Sequence, residues 1–154
     1  MIRDHVSMDE HVLVKDWVKR PQVTAIIPLL DKKQIVLVRQ YRHGVNKTLW
    51  ELPAGTVDEK ESALSCAKRE CEEETGYRPQ TLYSLGSFFP APASSNEIVH
   101  LYWTDRLKKS KMNLDIGEKI ELGFFDMKKV RQMLDAKKIE DAKSIIGLYR
   151  YFLK

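Results

Sequence analysis

The sequence predicts an α/β fold in which a mixed sheet is sandwiched between helices. Short apolar segments typical of strands recur along the chain, and segments with helical periodicity are scattered after them. Strands and helices in such an order pack most readily as a sheet covered by helices. With 154 residues, 43% of them hydrophobic and 31% charged, the chain can bury a core and is expected to form one domain over residues 1–154.

Seven strands are predicted from apolar or alternating segments. In chain order they cover residues 11–15, 22–30, 34–40, 49–52, 80–88, 98–104 and 119–125. The second and third are separated only by residues 31–33, a spacing that predicts a hairpin. A loop rich in Pro, Ala and Ser separates the strands at 80–88 and 98–104.

Three helices are predicted from their periodicity and their end signals. The first covers about 62–75, where Gly76 suits a left-handed C-terminal cap and Pro79 blocks continuation. Asp126 is a candidate N-cap for the second helix. A C-terminal helix is indicated by the apolar residues Ala142, Ile145, Ile146, Tyr149 and Leu153.

Composition and charge exclude several classes of function. The net charge is +4 and the sequence pI is about 9.0, but the basic residues are scattered and no nucleic-acid-binding motif accompanies them, so no nucleic acid partner is expected. No apolar run resembles a signal peptide or approaches the ~20 residues of a membrane helix, so a cytoplasmic protein without a membrane partner is expected. Cys66 and Cys71 are expected to be reduced packing residues.

The first helix carries an acidic cluster. Glu70, Glu73 and Glu74 stand at i, i+3 and i+4, which places all three on one helical face. Like charges at this spacing repel, so the face is either solvated or neutralised by a cation, and hard oxygen ligands suit Mg²⁺ or Mn²⁺. An isolated E-x-x-E-E pattern usually indicates a solvated acidic face. In this chain the residues around the pattern favour a metal site.

Those surrounding residues complete a known motif. Residues 55–77 read G-x5-E-x7-R-E-U-x-E-E-x-G-U, with U a bulky apolar residue. This resembles the box of the Nudix hydrolases, which cleave a nucleoside diphosphate linked to another moiety. The resemblance implies an α/β/α sandwich with a mixed central sheet and a Mg²⁺ or Mn²⁺ cofactor. It also implies a metal-ligand set of Glu70, Glu73, Glu74 and the backbone carbonyl of Ala54.

The resemblance implies further roles inside and outside the box. Arg69 would orient the glutamates and Glu73 would act with them in catalysis. Arg42 is the candidate for binding the pyrophosphate. The alternative is that Arg42 is an exposed arginine at a strand end without a role in binding. Glu97 is a second candidate substrate contact, with a plain surface glutamate as the alternative. The general base is assigned to Glu118 on an acidic segment before the last strand, with Glu121 as the second choice and a solvated acidic loop without a catalytic role as the alternative.

Segments outside the box narrow the range of candidate substrates. VRQYR at 38–42 and WELPAG at 50–55 are similar to the ADP-ribose pyrophosphatase branch, and the loop at 89–97 resembles that branch except at Ala93 and Asn96. The resemblance implies hydrolysis of ADP-ribose or a related nucleoside diphosphate sugar, and a homodimer. Action on nucleoside triphosphates or RNA 5′ ends, and a non-catalytic nucleotide-binding domain, stay open as alternatives.

Overall fold

The computed structural model describes residues 1–114 and 117–154. Within these ranges the chain forms eleven strands and three α-helices. The strands are β1 (Ile2–Met8), β2 (His11–Trp17), β3 (Val23–Leu30), β4 (Gln34–Arg42), β5 (Lys47–Glu51), β6 (Ala54–Thr56), β7 (Tyr77–Pro79), β8 (Tyr83–Phe88), β9 (Val99–Thr104), β10 (Leu107–Lys109) and β11 (Ile120–Asp126). The helices are α1 (Ala63–Thr75), α2 (Met127–Asp135) and α3 (Ala142–Phe152).

The central sheet is mixed, as the sequence predicts. Its strands follow the order β11-β4-β3-β9-β8, in which β3 and β9 run parallel and the other neighbours are antiparallel. The predicted hairpin of β3 and β4 forms, but these two strands pair only at its tip, where Leu29 faces Ile35 and Leu30 faces Gln34. Beyond the tip the two strands separate.

The segment between residues 47 and 56 fills the gap that β3 and β4 leave. β5 pairs with the end of β4, and β6 pairs with the start of β3, so the segment lies between both strands. A further bond from Ile26 N–H to the Pro53 carbonyl, 3.0 Å long, fixes the bend between β5 and β6. This insertion presents Ala54 and Gly55 at the face of the sheet that α1 covers.

Helices cover both faces of the sheet. α2 and α3 enclose the main core with the inward side chains of the strands, which include Ile27, Ile35, Leu37 and Leu101. α1 packs on the opposite face, where Thr24 Oγ1 donates to Cys66 Sγ at 3.4 Å. Both cysteines are free and buried. The predicted fold class, a mixed sheet between helices, is confirmed.

Each helix begins at a side-chain cap. Ser62, Asp126 and Asp141 accept the backbone N–H three residues further on. α1 ends at Gly76 with φ of 72°, the left-handed cap that the sequence predicts. None of the helices in the described ranges combines the length and apolar character that a membrane crossing requires.

Several elements differ from the prediction. β1, β6, β7 and β10 are additional strands. The last three have only three residues each and pair with segments distant in sequence, which leaves no local signal, whereas β1 forms a hairpin with the neighbouring β2. The predicted C-terminal helix forms as α3, with Ser144, Gly147 and Leu148 buried and with Tyr149 and Leu153 exposed.

Candidate active site

The acidic face of α1 forms one wall of a cavity of about 530 Å³. The segment between β5 and α1 forms a second wall and the end of β4 a third. The cavity brings together most of the residues that the sequence singles out, although those residues come from separate parts of the chain. Its lining consists of Gln40, Arg42, Ala54, Gly55, Thr56, Asp58, Arg69, Glu70, Glu73, Glu74, Asn113 and Glu118.

Glu74 is the most deeply buried carboxyl group of the cavity. Only 5% of the residue is exposed, and one carboxyl oxygen accepts the Ala54 N–H at 2.9 Å. Burial, together with the charges of Glu70 and Glu118, outweighs this hydrogen bond and raises the pKa of Glu74 to about 8. Without a cation, ionised Glu74 is therefore unfavourable near neutral pH.

Glu70 lies directly against Gly55. A Cβ atom at position 55 would come within 2.0 Å of the Glu70 carboxyl carbon, so only glycine leaves room for this carboxylate. Burial raises the pKa of Glu70 above its usual range, although the Arg69 guanidinium opposes the shift. The box glycine and the first box glutamate are thus in direct steric contact.

Arg69 holds the carboxylates of the box by several hydrogen bonds. Its Nε and Nη2 donate to the two oxygens of Glu61 at 3.1 and 2.9 Å, and Nη1 donates to Glu70 at 2.6 Å and to Glu73 at 3.0 Å. Nη2 also donates to the Thr56 carbonyl at 3.2 Å. The bond to Glu61 raises the pKa of Arg69 and lowers that of Glu61. Arg69 therefore links α1 to the segment before it.

The donor chemistry of the cavity fits a divalent cation. Five carboxyl groups and two guanidinium groups line it, an excess of three negative charges when all are ionised. Glu74 is buried and Gly55 makes room for Glu70, which gives two oxygen donors on one helical face beside the Ala54 backbone. Among the described residues, however, no three side chains have converged into a metal-binding geometry, because Glu70 and Glu73 bond to Arg69.

Glu118 reaches the cavity from the segment before β11. It accepts Gln40 Nε2 at 3.3 Å and lines the same cavity as Glu70 and Glu74. Residues 115 and 116 of that acidic segment lie outside the described ranges. Glu121, the second choice for a base, is exposed and pairs instead with Arg39 at 3.2 Å.

Arg42 binds a buried glutamate. Its Nε and Nη2 donate to the two oxygens of Glu51 at 2.7 and 2.8 Å, which leaves Nη1 without a hydrogen-bond partner among the described residues. Glu51 is 1% exposed and also accepts Lys143 Nζ at 2.5 Å. Burial by itself raises the pKa of Glu51, but the bond from Arg42 and the charge of Lys143 outweigh it and hold that pKa below its usual range.

A second cavity of about 330 Å³ adjoins the first. The two share Arg42 and the backbone of residues 54–56. Glu97 lines this second cavity and not the first, so the two predicted substrate contacts meet there. Its other walls are Val23, Phe88, Pro90, Val99, Asp141, Ala142 and Lys143.

Sequence reasoning missed Gln40, Asp141 and Lys143. Gln40 stands within VRQYR, where it continues the alternation that places Val38 and Arg42 on the same face, and this alternation is the signal that could have found it. Asp141 and Lys143 open a helix far from the box in sequence, and only the packing of α3 beside β5 brings them to Glu51. Local patterns carry no information on that contact.

The chain is similar in sequence to known proteins. A family model described as "NUDIX domain" matches residues 19–147. The chain is 30% identical over 142 residues to an ADP-ribose pyrophosphatase of Bacillus subtilis (strain 168), covering 91% of this chain and 77% of the relative. It is 34% identical over 136 residues to a methanol dehydrogenase activator of Bacillus methanolicus, covering 87% and 74% of the two chains.

A solved structure shows the same fold. The crystal structure of an ADP compounds hydrolase superposes with a TM-score of 0.82 at 18% sequence identity, covering 99% of this chain and 91% of that one. At this level of identity the likeness concerns the fold alone. The substrate question therefore rests on the residues of the two cavities and on the sequence relatives.

Proposed function

This chain belongs to the Nudix family, and we propose that it hydrolyses the pyrophosphate bond of ADP-ribose or a related nucleoside diphosphate sugar. As a member of that family it is a Nudix pyrophosphohydrolase. The products would be a nucleoside monophosphate and a sugar phosphate. The adjoining pair of cavities, one acidic and one of mixed character, is the observation that carries the proposal.

The acidic cavity suits the reacting phosphates only when a cation is present. Its excess of negative charge would repel an anionic pyrophosphate. Glu70, Glu73, Glu74 and the Ala54 carbonyl would hold Mg²⁺ or Mn²⁺. When bound, such an ion neutralises phosphate charge and lowers the pKa of water. Arg69 would keep the glutamates in place, and Glu118 would take the proton of the attacking water.

The second cavity suits a sugar. Glu97 and Asp141 offer carboxylate acceptors for hydroxyl groups, while Val23, Phe88 and Val99 offer apolar surface for the carbon skeleton. Arg42 lies at the boundary of the two cavities, and its remaining N–H groups can bind a phosphate oxygen there. A pyrophosphate at the shared wall would therefore place a sugar in the second cavity.

We also propose a homodimer in the cytoplasm. Among the described strands, β1 and β2 pair only with each other, and their hairpin exposes Val6, Val12, Leu13 and Val14. A lone hairpin is marginally stable in water, so a covering surface would stabilise it. A second copy of the chain is the occupant that the family resemblance favours.

A substrate panel tests the proposal. Purified protein with Mg²⁺ would be offered ADP-ribose, other nucleoside diphosphate sugars, dinucleotides, nucleoside triphosphates and capped RNA, with products separated by chromatography. We expect the highest kcat/KM for ADP-ribose or another nucleoside diphosphate sugar. Preferential cleavage of triphosphates or capped RNA would contradict the substrate assignment. Absence of turnover of every compound would contradict catalysis and favour a nucleotide-binding domain.

A further inference from the structure

Glu51 is a buried carboxylate that joins two cations at the edge of the two cavities. It is the last residue of β5, and only 1% of its side chain is exposed. Arg42 and Lys143 both donate to it. The described residues that line the two cavities include Arg42 and Lys143, but not Glu51 itself. Glu51 can therefore influence a bound substrate only through the side chains that it holds.

The strand register shows how far Glu51 draws the Arg42 side chain. Arg42 lies opposite Lys47 at the end of the β4–β5 pair, whereas Glu51 lies opposite Val38, further back along β4. An arginine without a partner at a strand end would extend into solvent. The bonds to Glu51, at 2.7 and 2.8 Å, instead turn the Arg42 side chain back along the sheet, where it lines both cavities together with residues 54–56.

The Arg42 guanidinium keeps free donors after it has bonded to Glu51. A guanidinium is planar and carries five N–H groups. Glu51 accepts one bond from Nε and one from Nη2, and the other N–H groups have no hydrogen-bond partner among the described residues. The Arg42 side chain is 40% exposed, against 1% for Glu51, so Arg42 is the member of the pair that a ligand can reach.

A guanidinium that is held in place is better suited to bind a phosphate than a mobile one. A long side chain loses conformational entropy when a ligand orders it, and a side chain that is already ordered avoids most of that cost. Bidentate bonding to a carboxylate also fixes the plane of the guanidinium. The two bonds to Glu51 therefore prepare Arg42 for an anionic ligand.

We propose that Glu51 is a positioning residue for substrate binding and that it acts through Arg42. It holds the guanidinium at the wall that the two cavities share, where the free N–H groups donate to a phosphate oxygen of the substrate. Lys143 bonds to the same carboxylate from the start of α3 and keeps it in place. This inference rests on the proposed function, which assigns the phosphate contact to Arg42.

The substitution Glu51→Gln tests the positioning role. Glutamine keeps the shape of the side chain but removes its charge and one of its two acceptors. We expect KM for the best substrate of the panel to rise by at least about tenfold, the effect of one hydrogen bond to a charged group. The acidic cavity stays intact, so kcat should change by less than about threefold.

A double-mutant cycle shows whether Glu51 acts through Arg42. Arg42→Met removes the phosphate contact itself, so it should raise KM at least as much as Glu51→Gln does. Adding Glu51→Gln to Arg42→Met should then raise KM by less than about twofold, because no guanidinium is left to position.

Thermal unfolding separates these kinetic effects from a loss of fold. Glu51→Gln leaves two cations without a buried countercharge, so its Tm should fall, and kinetics are measured below the unfolding transition of every variant. Arg42→Lys is a second test that leaves Glu51 in place. Lysine keeps the charge but has no planar fork to bond both Glu51 oxygens, so KM should rise by at least about fivefold.

Glu140→Gln is the matched control. Glu140 accepts Lys47 Nζ of β5 at 2.7 Å, so this variant also removes a pair between a glutamate and a cation on the same sheet. The pair is exposed, and neither residue belongs to the described lining of the two cavities. Both kcat and KM of Glu140→Gln should equal those of the wild type.

The outcomes identify which idea fails. With an active wild type, an unchanged KM in Glu51→Gln would overturn the positioning role, and Arg42→Lys decides in the same way if Glu51→Gln does not fold. A further tenfold rise, roughly, on adding Glu51→Gln to Arg42→Met would show an effect independent of Arg42 and would overturn it too. An unchanged KM in Arg42→Met would overturn the phosphate contact of Arg42 and this inference together. An inactive wild type would overturn the proposed function and this inference with it.

Discussion

At the residue scale, the burial of Glu74 makes the metal-free protein sensitive to pH. Its pKa rises from 4.5 to about 8 on folding, so between these values the folded state binds more protons than the unfolded state. Stability is therefore highest below the lower value and falls as pH rises through the higher one. By linkage the loss approaches about 4 kcal/mol at pH 8.

The substitution Glu74→Gln tests this charge. The amide is neutral at every pH, so the metal-free variant should lose most of the pH dependence and exceed the wild type in stability at pH 8. Its activity should fall by at least about 100-fold, since even indirect partners of a metal affect its affinity 10–100-fold. Urea unfolding from pH 5 to 9 in chelator, with kcat measured in Mg²⁺, checks both.

Glu72→Gln is the matched control for Glu74→Gln. Glu72 lies on the same helix but points away from the acidic cavity and accepts Ser110 Oγ at 2.5 Å. The Glu72→Gln variant should keep wild-type activity and the wild-type dependence of stability on pH. A Glu74→Gln variant with wild-type turnover would refute the metal-site assignment.

A second prediction at this scale concerns Gly55. An alanine there would overlap the end of the flexible Glu70 side chain, so Glu70 should move while the backbone stays folded. We expect the Mg²⁺ affinity, measured by calorimetry, to fall by at least about tenfold while Tm changes little. Gly44→Ala is the control, because a Cβ atom at position 44 meets no atom within 4 Å. Unchanged Mg²⁺ binding in Gly55→Ala would contradict the contact with Glu70.

At the element scale, the start of α3 is joined to the end of β5. Leu52 N–H donates to Ser144 Oγ at 2.7 Å, and Ser144 Oγ donates to Asp141 at 2.6 Å. Asp141 also caps the helix and accepts Lys143 Nζ at 2.9 Å. The position of Lys143 beside Glu51 thus depends on one helix terminus.

Variants of Asp141 separate capping from charge. Asp141→Ala should lower the free energy of unfolding by about 1–2 kcal/mol, since it removes an N-cap, whereas Asp141→Asn should retain most of the stability. Both should raise KM, because Lys143 loses one of its two carboxylate partners and the second cavity changes charge. Asp126→Ala is the control, because it removes the cap of α2 away from both cavities. It should lower the free energy of unfolding as much as Asp141→Ala does and leave KM unchanged. Urea unfolding and steady-state kinetics measure these outcomes.

At the scale of the whole molecule, the hairpin of β1 and β2 exposes a cluster of apolar side chains. Val12 and Val14 lie on one of its faces with 65% and 54% exposure. The hairpin joins the rest of the chain where Val18 N–H donates to the Ser94 carbonyl at 2.8 Å, next to the loop that carries Glu97. A partner on the hairpin would therefore lie near the second cavity.

Replacing both Val12 and Val14 by lysine tests the homodimer. Light scattering of the wild type should give twice the chain mass of 17.9 kDa, and the double variant should give the monomer mass, because two buried charges would oppose association. Val45→Lys, an exposed valine outside the hairpin, should stay dimeric. A monomeric wild type would refute the proposal.

The sequence predicted most elements whose signals are local, although it left out β1, and it also left out β6, β7 and β10, which pair with distant segments. α1 was predicted to within a residue because its cap, apolar stripe and terminal glycine are neighbours in the chain. β7 and β10 exist only because they pair with each other, with Tyr77 opposite Lys109. The exposure of Tyr149 likewise follows from which face of α3 meets the sheet, a choice that periodicity alone leaves open.

The sequence by itself determined the family and the reaction class. It also determined that the glutamates of the acidic box lie on one face, because of their spacing within one helix. Tertiary structure decided what surrounds them. The separation of β3 and β4 admits the segment that sets Gly55 against Glu70, and the packing of α3 brings Lys143 to Glu51. Burial then shifts the pKa of Glu74. Such effects arise from contacts between distant segments, which no local pattern encodes.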